Sequence, residues 1–277
     1  MEDWQEQRVD FYQNSAALPF INNYFDVKKG VRLLFGHIKD MYKLKRMPTY
    51  RLYENNKCRY MTLPDVITRK YTPLKDYWCN HSSIYTFDKK VLQFHSDNDT
   101  LELGRNSAIG MNAVIELDSP NDPSYDKAKR LLFFDHIEEF NNVISQIDKK
   151  LNELTTDYNI MFSGNGIYII LESCYEDNFS QEGYYRDNFL NLLHTMQETE
   201  GLGDKFKVHI DNSKAPWNDF FKLPFTFHES RPRISIPLPK GELDSEFINE
   251  HSNVNNTLND YSLINETIQN AKWSKIW

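Results

Sequence analysis

Glu116 and Asp118 stand two residues apart in the segment NAVIELD, 112–118, where Val114, Ile115 and Leu117 read as a buried strand. On a strand that spacing puts both carboxylates on one face, about 7 Å apart along the backbone and free to converge on shared cations. Strands are depleted in acids, so such a pair asks for a partner, and carboxylate-held Mg²⁺ or Mn²⁺ is a natural one. Taken alone, the pair also fits a plain solvent-facing strand end. Asp211 closes the strand-like FKVHID in the same way. Three carboxylates suit a two-metal site, in which ions about 3.5–4 Å apart activate an attacking hydroxyl and neutralise a leaving pyrophosphate.

Groups able to hold an anion occur elsewhere. Ser163-Gly164-Asn165-Gly166 offers a hydroxyl, backbone N–H groups and permissive φ values, which suit an anion cradle as well as an ordinary hairpin turn. Lys222 and His228 frame LPFTF and put a fixed positive charge and a titratable donor near one short loop. Singly, each is also what a surface lysine or a satisfied core histidine looks like.

The elements that must position these groups follow from periodicity. After NAVIELD and the turn signal SPNDPS, residues Tyr125 to Leu154 carry Leu131, Ile137, Phe140, Ile144, Ile147, Leu151 and Leu154 at helical spacing. The apolar runs IMF and IYIILE flank the serine–glycine turn and predict a hairpin. Tyr184 to Thr199 reads as a helix within an insertion spanning about 176–204, Phe206 to Ile210 as a strand, and RISIP, 233–237, as another. Beyond Gly241 the chain turns acidic and Asn-rich, with helical turns around Leu258 to Ile268. Residues 1–241 are therefore expected to form the catalytic domain and 242–277 a peripheral segment, either a docking surface or a layer packed on the body.

Composition bounds the function classes. At 277 residues, with 40% apolar and 14% aromatic content, the chain is long enough for one large globular α/β domain and has no run of the length a membrane span needs. The acidic start and three scattered cysteines, Cys58, Cys79 and Cys174, predict an intracellular protein that is not secreted, with neither a disulfide framework nor a structural zinc. The net charge of −8 hides an asymmetry: thirteen basic residues against three acidic ones between Lys28 and Lys75. Tyrosines interleave that stretch, a mixture that can grip a phosphate backbone while rings stack on bases, though a solvated basic face has the same composition. No P-loop or dinucleotide fingerprint is present.

In order, these motifs resemble the archaeo-eukaryotic primase superfamily, and within it the catalytic small subunit of DNA primase. The resemblance rests on Asp211, Ser213-Lys214, Lys222-Leu-Pro-Phe-Thr-Phe-His228 and Arg233-Ile-Ser-Ile-Pro237, on the acid-bearing strand and turn of 113–126, and more loosely on Cys58-Arg59-Tyr60. It spans residues 50–240 and is tight only at 113–126, 161–170 and 208–237. It implies a mixed β-sheet active site flanked by helices, with Glu116, Asp118 and Asp211 as catalytic metal ligands. Arg59, Ser163, Gly164, Tyr168, Ser213, Lys214, Lys222, His228 and Arg233 are implied to bind the nucleotide.

The implied activity is template-directed synthesis of short RNA primers from ribonucleoside triphosphates on single-stranded DNA, with two Mg²⁺ or Mn²⁺ ions and a large-subunit or other replication partner. The departures are specific. Tyr168 stands where the family usually has a histidine, Asn165 where the turn has an arginine, and Glu116 where aspartate is commoner; the cysteines of the family's zinc knuckle are missing. Two alternatives follow: a primer-extending repair polymerase of the same superfamily, or a degenerate, non-catalytic nucleic-acid-binding protein.

Overall fold

The computed structural model describes residues 30–37, 44–45, 52–54, 57–59, 77–87, 108–111, 114–118, 132–153, 157–171, 209–211, 220–228 and 232–273. The expected hairpin is there: β8 (Tyr158–Phe162) and β9 (Ile167–Leu171) pair antiparallel around the turn at 163–166. β9 pairs in turn with β7 (Val114–Asp118), the acid-bearing strand. β10 (His209–Asp211) adds to the far edge of β7 and β12 (Ile236–Leu238) to the far edge of β8. The result is an antiparallel sheet of order β10-β7-β9-β8-β12.

Because side chains alternate along a strand, the register sorts the residues of this sheet onto two faces. One row holds Ile115, Leu117, Ile160, Phe162, Ile167, Ile169, Ile236 and Leu238, all buried. Against it pack α1 (Leu132–Asp135) and α2 (Ile137–Glu153), whose Phe140, Val143, Ile144, Ile147 and Leu151 recur at helical spacing and are buried. Phe133 ties the layers together, with its ring 4.7 Å from Phe140 and 4.8 Å from Phe162. The single long helix expected over 125–154 is divided at His136, which carries a turn between α1 and α2. The opposite face carries Glu116, Tyr168, Met161 and Pro237 in successive register across β7, β9, β8 and β12.

A second sheet runs β11-β5-β1-β2, with β6 also paired to β5. Its strands are β1 (Gly30–His37), β2 (Leu44–Lys45), β5 (Tyr77–Phe87), β6 (Ala108–Met111) and β11 (Phe220–Lys222). β3 (Leu52–Glu54) and β4 (Lys57–Arg59) form a separate pair. The chain leaves the second sheet at β6 and enters the first at β7 after two intervening residues, and it goes back between β10 and β11. Both crossings flank the acid-bearing strands. The expected helical insertion at 176–204 lies outside the described residues.

The segment after Gly241 packs on the body. It forms α3 (Ser245–Ser252), α4 (Val254–Asn259) and α5 (Ser262–Ala271), and it buries Leu243, Ile248, Val254, Ile264, Ala271 and Trp273. Asp244 caps α3 by accepting from the Glu246 and Phe247 N–H groups, and Asn253 caps α4 in the same way. At the end of α5, Lys272 adopts a left-handed conformation (φ 48°) and turns the chain back. The Trp273 indole N–H then donates to the Ile160 carbonyl at 3.0 Å and the Leu238 carbonyl at 3.3 Å, on paired strands β8 and β12. Among the described residues no helix is long and apolar enough to cross a membrane.

Candidate active site

The register of β10 and β7 pairs His209 with Asp118, Ile210 with Leu117 and Asp211 with Glu116. Directly opposite residues share a face, with Cβ atoms about 4.5–5.5 Å apart. Asp118 lies two residues beyond Glu116 and shares it too. The three acids, Asp211 lying nearly a hundred residues from the other two in the chain, therefore occupy adjoining positions on the face of the sheet opposite the Ile115–Leu238 row. Asp118 and Asp211 are placed by backbone position; among the described side chains no group of three His, Cys, Asp or Glu gathers. The alternation also sets His209 on this face, opposite Asp118, a position that the sequence reading passed over. The signal was available, since in HID the histidine is two residues before the acid.

The serine–glycine turn lies at the same end of the sheet. β7 and β9 run antiparallel and pair Leu117 with Ile167, so the end of β7 at Asp118 meets the start of β9, where the turn closes. Ser163 builds that turn. Its N–H donates to the Gly166 carbonyl at 2.9 Å, and its hydroxyl accepts the Gly166 N–H at 3.1 Å while lying 3.2 Å from the same carbonyl. Gly164 has φ +105°, a conformation that favours glycine, and its empty Cβ position is 2.6 Å from His228 Cδ2. The histidine of the Lys-x-Pro-Phe-x-x-His segment is thus seated directly on the turn.

The loop carrying His228 is held from below. Pro224 precedes Phe225, a fully buried residue at φ 57°, in a tight turn. The Ser235 hydroxyl stabilises it: Ser235 Oγ accepts the Thr226 N–H at 3.0 Å and donates to the Leu223 carbonyl at 2.6 Å. The Thr226 hydroxyl donates to the same carbonyl at 2.7 Å. Residues 225–228 then pair with 233–235, with the Phe225, Ser235 and His228 N–H groups bonding across at 2.7–2.8 Å. This explains why a proline–phenylalanine turn and a serine-centred strand occur together: they are two halves of one buried knot.

Lys222 ends β11 opposite His81 of β5, and its side chain is buried. Tyr168, beside Glu116 in register, is buried as well. Arg59 lies on β4 opposite Leu52. Ser213 and Lys214 lie outside the described residues. Arg233 departs from expectation. Its guanidinium faces α3, donating to the Asn249 carbonyl at 2.7 Å, Asn249 Oδ1 at 2.6 Å and Ser252 Oγ at 3.3 Å, with the Phe134 ring 5.3 Å away. Burial lowers its pKa from the ordinary arginine value. With its fork committed to a helix, Arg233 has a structural partner, and we leave it out of the nucleotide-binding set.

No family model matches the sequence, and no curated protein is similar to it. Solved structures do share the fold. The polymerase domain of Mycobacterium tuberculosis Ligase D, determined in complex with DNA, superposes with a TM-score of 0.51 at 10% identity. The match covers 96% of this chain and 92% of that one, so the mixed α/β architecture corresponds over nearly its whole length. What this likeness shows is a shared fold with that polymerase domain.

Proposed function

We propose that this chain is a metal-dependent nucleotidyltransferase acting on a nucleic-acid template. The observation that carries the reading is the register of β10 on β7, which brings Asp211 opposite Glu116 and beside Asp118. Three hard oxygen donors on one face fit Mg²⁺ or Mn²⁺ and would hold two such ions. Bound there, the ions would supply Lewis-acid chemistry to an attacking 3′-hydroxyl and to the leaving pyrophosphate. The new bond joins the 3′-oxygen to the α-phosphorus of the incoming nucleotide, and the bond to the pyrophosphate oxygen breaks. The chain's own part is positioning. The turn at 163–166, His228 seated on it, and Lys222 would hold the triphosphate at the end of the sheet where Asp118 stands. The basic 28–75 stretch would hold template.

Within that class we favour primer synthesis from ribonucleotides, because the sequence resemblance is to primase catalytic subunits. A primer-extending activity is the second reading, and the neighbouring fold favours it, since that structure is a polymerase domain bound to DNA. Unprimed single-stranded DNA, a primed duplex, ribo- and deoxynucleotides, and Mg²⁺ or Mn²⁺ separate the two. Products on the unprimed template support priming. Extension of the primed duplex alone supports the second reading. DNA binding without synthesis under either metal overturns both and leaves a non-catalytic nucleic-acid-binding protein.

A further inference from the structure

Arg233 is held at both ends. Its main-chain carbonyl accepts the His228 N–H at 2.7 Å, while its guanidinium makes the three bonds to Asn249 and Ser252 described above. The stretch 232–234 is the middle of three backbone segments. One edge meets the His228 loop, through Phe227 and Ile234 as well as His228 and Arg233. The other meets the α3–α4 junction: the Ile234 N–H donates to the Ser252 carbonyl at 2.7 Å, and the Val254 N–H to the Pro232 carbonyl at 3.2 Å. Phe134, beneath the guanidinium, is 6.2 Å from Phe162, the residue before Ser163. The path from α3 to His228 is thus a single residue long. Its outer half is a planar fork with charge-assisted bonds, which fixes orientation more tightly than a neutral contact does.

We propose that Arg233 is a positioning residue that ties α3 to the His228 loop, so that the C-terminal helices set where the imidazole meets a bound triphosphate. The inference rests on the reading of His228 as a triphosphate ligand. It gives the segment after Gly241 a part in the site: a change on α3 that reaches Asn249 reaches the nucleotide.

The test is a double-substitution cycle read by calorimetric titration with ATP and Mg²⁺. Asn249 is exposed, so Asn249→Ala removes an acceptor of the fork with little risk to folding. It is expected to weaken ATP binding about fivefold, and Arg233→Lys, which keeps charge but loses the fork, by at least as much. In a His228→Ala background neither substitution is expected to weaken binding further, because the route ends at that ring. Thermal melting confirms that each variant is folded. Equal losses with and without His228, or unchanged affinity in both folded single variants, overturn the coupling while the nucleotide reading stands. Wild-type protein that binds no ATP in the presence of Mg²⁺ overturns both.

Discussion

Asp211 lies directly opposite Glu116 across the antiparallel pair of β10 and β7. Like charges at such positions destabilise a sheet by a few tenths of a kcal/mol up to about 1 kcal/mol, a cost that a bound divalent ion would remove. In buffer free of divalent ions, Glu116→Gln or Asp211→Asn is expected to raise the melting temperature by about 1–3 °C. The same variants should lose the stabilisation that added Mn²⁺ gives the wild type. A lower melting temperature in both, with or without metal, would point to ordinary structural acids.

Gly164 and Gly241 have nearly the same φ, +105° and +107°, but different surroundings. A Cβ at Gly241 meets nothing within 4 Å, whereas one at Gly164 strikes the His228 ring. Gly241→Ala is expected to cost about 1 kcal/mol in urea unfolding, the price of the conformation alone. Gly164→Ala should cost about 2 kcal/mol or more and should also displace His228 and weaken nucleotide binding. Equal effects at the two sites would mean that the ring and the turn are not in contact.

Trp273 separates a packed C-terminal segment from a peripheral one. Its indole is buried and bonded to carbonyls on β8 and β12. Trp273→Ala is expected to cost about 3–5 kcal/mol and Trp273→Phe about 1 kcal/mol, read by denaturant unfolding. Losses below about 0.5 kcal/mol for the alanine would place the segment outside the cooperative unit.

Tyr158 gives the fold an alkaline limit. Its hydroxyl donates to Asp148 Oδ1 at 2.5 Å, and burial, that hydrogen bond and the charges of Asp148 and Asp157 together raise its pKa well above the usual tyrosine value. A group whose pKa is raised on folding contributes stability that is complete below its unfolded pKa and is lost as pH climbs toward the folded one. Relative to Tyr158→Phe, the wild type should therefore lose up to about 1.4 kcal/mol per pH unit once pH exceeds about 10. Parallel stability curves for the two proteins in that range would show that the phenol is not held this way.

What was legible in the sequence was local. The hairpin around Ser163-Gly164-Asn165-Gly166 and the strand NAVIELD follow from apolar runs and turn chemistry within a few residues. The contact between Gly164 and His228, and the facing of Asp211 and Glu116, depend on pairings between distant strands that no local pattern encodes. The C-terminal segment was underread for another reason. Leu243, Ile248, Val254, Ile264 and Trp273 are spread among asparagines and acids, so its packing face is thin along the chain and forms only when three short helices bring it together. Arg233 was expected at the nucleotide because Arg233-Ile-Ser-Ile-Pro237 resembles a family motif, while its partner Asn249 lies sixteen residues on.

The carboxylate row is tested most directly by counting bound Mn²⁺ with electron paramagnetic resonance, at saturating nucleotide, in wild type, Asp118→Asn and Asp211→Asn. The account predicts about two tightly held ions per wild-type chain and the loss of at least one in each variant, with synthesis lost in parallel. Wild-type protein that binds no Mn²⁺ beyond what the nucleotide carries, or variants that keep the full complement, would contradict it.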